Sequence, residues 1–149
     1  MKQQENCGKD YLKCGGKLLV ETLIQIENET APREKQGSDF SLAPMLSKEM
    51  SKIDWEKQTA QEIKNLVRGL NPIMGAYTFI NEKKIKIWKV EILELPQELE
   101  NLENGVVIYA DTQNGLQLKA KDGIVKALEV QAENDKKMPV QDFLRGTRI

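Results

Sequence analysis

The chain has 149 residues, 40% of them apolar and 30% charged, with a net charge of −1 and two cysteines. That balance suits a globular domain of roughly 100 residues plus an appendage, rather than a disordered chain. No apolar run approaches the ~18 residues of a membrane span, and there is no histidine, which excludes histidine acid–base work, Ser-His-Asp and Cys-His nucleophilic sites and the common zinc sites.

The first residues, MKQQENCGKDY, are polar and carry no apolar segment of the secretory kind. Cys7 and Cys14 match no strong metal spacing and are expected to be ordinary reduced cysteines of a cytoplasmic protein. Residues 1–14 show little periodicity. After Gly15-Gly16, Leu19, Leu23 and Ile26 recur at helical spacing and predict a helix from about Lys17 to Asn28. From Glu29 to Lys52 the chain is polar and broken by Pro32, Gly37 and Pro44, and it is too long for an ordinary loop within a domain. The expected organisation is therefore a segment 1–28 ending in a helix, a linker 29–52, and a compact domain 53–149.

The compact domain opens on a well-marked helix. Thr59 is a natural N-cap, and Glu62, three residues on, completes a capping box. Ile63, Leu66, Val67 and Leu70 fall on one stripe, and Lys64 and Arg68 suit the negative end of the helix dipole. Gly69 weakens the last turn and Pro72 forbids helix at Asn71. Burying the four apolar side chains contributes roughly 6–12 kcal/mol before conformational entropy is set against it. Some other element has to cover that stripe.

Short strands follow. Ala76–Ile80 and Lys84–Leu93 flank Asn81-Glu82-Lys83 as a hairpin, with Ile85, Ile87 and Lys89 on one face and Lys86, Trp88 and Val90 on the other. Strands are also predicted over Gly105–Ala110, Leu116–Ala120 and Ile124–Gln131, the last with Ile124, Leu128 and Val130 on one face. The turns between them are Asp111–Gly115 and Lys121-Asp122-Gly123. Met138-Pro139 opens a final short helix whose buried side is Val140, Phe143 and Leu144, with Gly146 just past its end. Five strands with helices at both ends fit a mainly β fold, a small, partly open, OB-like antiparallel barrel whose one side the capped helix closes.

Charge is segregated along this domain. Lys83, Lys84, Lys86 and Lys89 stand against Glu82 between Phe79 and Val90, whereas Glu91–Asn104 holds five glutamates and no basic residue. Local field, not net charge, decides what such a surface binds. The acidic run matches no metal loop. Trp55 and Trp88 fit structural packing better than base stacking, and Asn71-Pro72 with Gly75 fits a turn from helix to strand.

The residues also resemble a known family. The pattern IDW…EI…LVRGLNP…GAYTF…KIKIWK over residues 53–89 looks like the C-terminal domain of methionyl-tRNA formyltransferases. Gly115-Leu116, Lys121-Asp122-Gly123, Lys136-Lys137-Met138 and Asp142-Phe143-Leu144-Arg145-Gly146 continue the likeness in order, SLAPMLSKEMSKIDW resembles the interdomain linker, and Gly16–Leu23 resembles the last helix of the catalytic domain. The resemblance spans about residues 15–149. It departs at Ile73-Met74, where the family usually has Trp-Pro, at Met45 in place of a linker lysine, and at Asp135 in place of a Gly.

The resemblance implies a parent enzyme that moves a formyl group from 10-formyltetrahydrofolate to the methionine of initiator tRNA. Its catalytic Asn, His and Asp and its folate pocket would lie in an N-terminal Rossmann-like domain. A chain without histidine cannot supply that His, so neither catalysis nor a cofactor is expected in these residues, which read as the OB-like domain that helps hold tRNA. The expected tRNA-backbone contacts are Lys83, Lys84, Lys86 and Lys89 on the hairpin, Lys136, Lys137, Arg145 and Arg148 around the last helix, and Lys48 and Lys52 in the linker. Each group also admits a plainer reading, as a lysine-protected sheet edge, ordinary surface charge or a solvated linker. Two competing functions stand beside this one. The chain could be an interaction module docking on a formyltransferase catalytic domain through the helix Lys17–Asn28, or the corresponding domain of a formyltransferase acting on sugar nucleotides or other folates.

Overall fold

The computed structural model describes residues 4–147 and 149, and side chains from residue 8 onward. The chain forms two compact units, one ending at Leu46 and one running from Ser47 to Ile149. Among the described residues no helix is long and apolar enough to cross a membrane.

The first unit is built on α1, Gln4–Glu27. It starts more than three turns before the helix expected from Lys17. Gly8, Gly15 and Gly16 lie inside it: each weakens a helix by roughly 0.5–1 kcal/mol, which the Lys, Gln, Glu and Leu residues around them offset. Its end is a Schellman motif. Thr30 N–H donates to Gln25 O at 2.8 Å and Glu29 N–H to Ile26 O at 3.1 Å, with Glu29 at φ 59° in the position usually given to glycine. Tyr11, Leu12, Leu18, Leu19, Leu23 and Ile26 are each more than half exposed. From Asn28 to Leu46 the chain has neither helix nor strand.

The second unit is a curled antiparallel sheet with flanking helices. Its strands are β1 (Ala76–Ile80), β2 (Lys83–Leu93), β3 (Val107–Asp111), β4 (Gly115–Lys119), β5 (Ile124–Ala132) and a two-residue β6 (Met138–Pro139). Spatial order is β1-β2-β5-β4-β3, with β6 on β5, so the sheet keeps two edges as a half-open barrel does. The chain before the barrel runs along one of them: Lys52 bridges Tyr77, and Ile53 N–H donates to Tyr77 O at 2.9 Å.

Helix α2, Ala60–Gly69, carries the expected capping box, with Thr59 N–H donating to Glu62 Oε2 at 2.8 Å and Glu62 N–H to Thr59 Oγ1 at 3.2 Å. Ile63, Val67 and Leu70 are buried against β2 and β5, and Leu66 is half-buried. The core continues through Ile85, Ile87, Val90, Leu116, Leu118, Val125 and Val130. Helix α3, Val140–Gly146, adds Val140 and Phe143 over β4 and β5. It begins one residue after Pro139, which sits in β6 as its N-cap, and Gly146 is its last residue rather than the one beyond.

Two irregularities reset the strand phases that simple alternation predicts. Ile87 faces Val130, Lys89 faces Glu129 and Val90 faces Ala127, so Trp88 is an extra residue in β2 and Leu128 an extra one in β5. Such bulges bend the strands and shift every later side chain to the other face. Val90 therefore joins Ile85 and Ile87 in the core, while Lys89 turns outward. In β5, Val125, Ala127 and Val130 form the core face, and Leu128 is only half-buried.

Candidate nucleic-acid interface

The hairpin that presents the lysines has a two-residue loop, Asn81-Glu82, rather than three residues. Both have left-handed φ, 47° and 65°, and Ile80 pairs with Lys83. This register sets the two faces. Ala76, Thr78, Ile80, Ile85 and Ile87 turn inward, whereas Tyr77 stands beside Lys86 and Phe79 beside Lys84 on the outer face.

That outer face is basic and aromatic. The Lys84 ammonium lies 4.1 Å from the centroid of the Tyr77 ring, a diagonal cross-strand contact. Tyr77 and Phe79 meet edge to face, 5.8 Å apart and at 87°. Farther along, Trp88 holds two more lysines: Lys86 Nζ is 5.7 Å and Lys137 Nζ 5.3 Å from its ring centroid. Trp88 itself is fixed. Its ring lies on Gly75, where a Cβ would come within 3.1 Å of it, and its Nε1 donates to Gln131 Oε1 at 3.1 Å.

Beside this face is a hollow of about 380 Å³. Lys48, Lys84 and Lys86 stand around it, Ile73, Met74 and Tyr77 form its apolar wall, and Ser51 and Glu49 complete the lining. The Glu49 carboxylate is held below its ordinary pKa, chiefly by a hydrogen bond from Ser47, so it stays ionised among the lysines. Lys84 and Lys86 also border a second, smaller hollow with Gln131, Glu133 and Asn134.

The expected site residues thus sort unevenly. Lys84, Lys86 and Lys48 are brought together at one hollow, and Lys137 joins Lys86 over Trp88. Lys137 also pairs with Glu129 at 2.8 Å. Lys89, placed with the core residues by alternation, lies outward beyond the bulge opposite Glu129. Lys83 shares the parity of Ile85 and projects from the hairpin tip away from Lys84. Lys136 is exposed beside Lys137, after the turn at residues 133–135. Arg145 is bound to Asp142 of its own helix at 2.9 Å, and Arg148 lies outside the described residues. Lys52 belongs to the sheet edge through its backbone, and its side chain lines a different hollow together with Glu49, Asp54 and Glu56.

Sequence reasoning overlooked Tyr77, Phe79, Ile73 and Met74 as part of this surface. A two-residue loop would have revealed the first two, because it alone puts Phe79 opposite Lys84 and Tyr77 opposite Lys86. The two tryptophans have the expected structural posts: Trp55 Nε1 donates to Thr78 Oγ1 at 2.8 Å, and Gly105 packs directly on its ring.

Comparison with known proteins identifies the surroundings of this site. Residues 45–148 match the family model described as formyl transferase, C-terminal domain. The chain is 40% identical over 136 residues to the methionyl-tRNA formyltransferase of Ruminiclostridium cellulolyticum, covering 91% of this chain and 43% of that protein. It is 41% identical over 138 residues to the enzyme of the same name from Halothermothrix orenii, again covering 91% and 43%. The chain thus spans less than half the length of these relatives. Among solved structures, HypX from Aquifex aeolicus in complex with tetrahydrofolic acid shares the fold at a TM-score of 0.56 and 16% identity, over 85% of this chain and 22% of that one.

Proposed function

The chain belongs to the formyl transferase C-terminal domain family, and from that membership we propose that it serves as the tRNA-holding domain of a methionyl-tRNA formyltransferase. In this reading it grips the sugar–phosphate backbone of initiator tRNA while a separate catalytic domain moves the formyl group from 10-formyltetrahydrofolate. The observation that carries the reading is the convergence of Lys48, Lys84 and Lys86 on one hollow, with Lys89 and Lys137 on the same outer face of the sheet. Lysines on a rigid strand offer phosphates a row of point charges without reading sequence. The names of the relatives support tRNA as the nucleic acid.

Titration of initiator tRNA at several salt concentrations tests this. Log Kd against log salt should have a slope of about 0.7–0.9 for each phosphate engaged. Binding insensitive to salt, or unchanged in a Lys84→Ala/Lys86→Ala variant, rejects the proposal.

A second reading rests on α1. Its exposed Leu18, Leu19, Leu23 and Ile26 suit docking against a formyltransferase catalytic domain. Sedimentation of the chain with such a domain separates the two readings: a complex that forms without tRNA and is lost in a Leu19→Asp/Leu23→Asp variant supports docking. A domain of a formyltransferase with another acceptor would bind no tRNA at all.

A further inference from the structure

The lysines explain attraction to any nucleic acid, but the groups between them are not what a duplex needs. Phe79 is 53% exposed near the hairpin end of β1, and Ile73 is 71% exposed in the turn between α2 and β1. Phe79 is held at right angles to Tyr77, and Tyr77 has Lys84 over its ring. The hollow beside them has an apolar wall of Ile73, Met74 and Tyr77 under three ammonium groups. A double helix offers such a surface only phosphates and sugars, which leave the apolar wall and the Phe79 ring unfilled. An unpaired nucleotide offers both a charge for the lysines and a flat base for the apolar groups.

We propose that this hollow receives one unpaired nucleotide of the bound RNA. Its phosphate sits among Lys48, Lys84 and Lys86, its base lies on the Ile73–Met74–Tyr77 wall, and the base of its neighbour stacks on Phe79. The inference rests on the tRNA-holding reading and adds that a single-stranded segment, not only duplex backbone, is gripped here. Glu49 is the dissenting group, since its ionised carboxylate lines the same hollow and opposes a phosphate there. It tunes the site toward release.

The test uses the full chain with three probes: initiator tRNA, a short single-stranded RNA, and a blunt RNA duplex with the same number of phosphates. Phe79→Ala and Ile73→Ala change exposed side chains, and thermal melting checks that they fold. Each should weaken the single strand about tenfold, the scale of one lost base contact, with the salt slope unchanged and the duplex unaffected. Glu49→Gln should tighten the single strand. Equal losses on single strand and duplex, no loss on either, or a neutral Glu49→Gln overturns the inference. If tRNA still binds in a salt-dependent way under those outcomes, the broader reading survives alone. If no probe binds, both fall.

Discussion

Asp122 and Ala60 are 62 residues apart in sequence, yet Asp122 Oδ1 accepts the Ala60 N–H at 2.7 Å. The β4–β5 turn thereby adds a second cap to a helix already capped by its own Thr59 and Glu62. Gly123 makes the approach possible, since a Cβ there would stand 3.3 Å from Ala60 Cβ and 3.3 Å from Leu93 O. The helix start is thus fastened to the sheet it covers.

Asp122→Ala should therefore cost about 1 kcal/mol, the usual worth of an N-terminal cap, whereas Asp122→Asn, which keeps an acceptor, should cost less. Urea unfolding of the full chain measures both. Equal losses would show that the carboxylate charge, not the hydrogen bond, holds the turn.

The capping box predicts a pH dependence. Thr59 N–H and Oγ1 hold the Glu62 carboxyl below its ordinary pKa in the folded chain. The unfolded chain therefore binds this proton more readily, so the stabilisation is full at neutral pH and fades as pH falls through and below about 4. Asp111, held down by Asn114 in the β3–β4 turn, acts in the same direction. Urea midpoints between pH 7 and 3 should fall less steeply in Glu62→Gln than in the parent chain.

Gly75 has φ +68° and lies under the Trp88 ring. Gly75→Ala meets both a strained backbone and a 3.1 Å contact with a buried ring, and should cost about 1–3 kcal/mol. Because Lys86 and Lys137 rest on that ring, tRNA affinity should weaken alongside stability. A loss of stability with unchanged affinity would separate Trp88 from the binding face.

The hairpin lysines are not equivalent. Lys84→Ala and Lys86→Ala should each reduce the salt slope of tRNA binding by about 1. Lys83→Ala, on the opposite parity, and Arg145→Ala, already paired with Asp142, should leave it nearly unchanged. If all four behave alike, the charge of the domain matters and its arrangement does not.

What the sequence revealed follows from the range of the interactions involved. The box of Thr59 and Glu62 and the apolar stripe behind it are local, so four residues sufficed to place α2. Trp88 and Leu128 could not be recognised as inserted residues, because a bulge exists only relative to the partner strand, and that displaced both Lys89 and Val90. The hairpin loop reads one residue too long from sequence for a related reason: left-handed φ at Asn81 and Glu82 is permitted to Asn and tolerated by Glu, but neither announces it as glycine would. Gly15-Gly16 hides the first half of α1 because glycine is a strong signal locally and a weak obstacle within a long run of good helix formers. Composition marks the lysines, whereas their aromatic and aliphatic neighbours emerge only with the register.

The pairing of Lys52 and Ile53 with Tyr77 has a consequence for how this surface can change. These main-chain bonds hold the segment bearing Lys48 beside the hairpin that bears Lys84 and Lys86. The backbone fixes the stations, while Lys48 stands in solvent and Lys84 and Lys86 lie half-buried against Tyr77 and Trp88, so the charge at Lys48 can be exchanged with the least penalty to folding. On the proposed reading, grip on an RNA can then be strengthened or relaxed by single substitutions, and the scaffold need not be renegotiated.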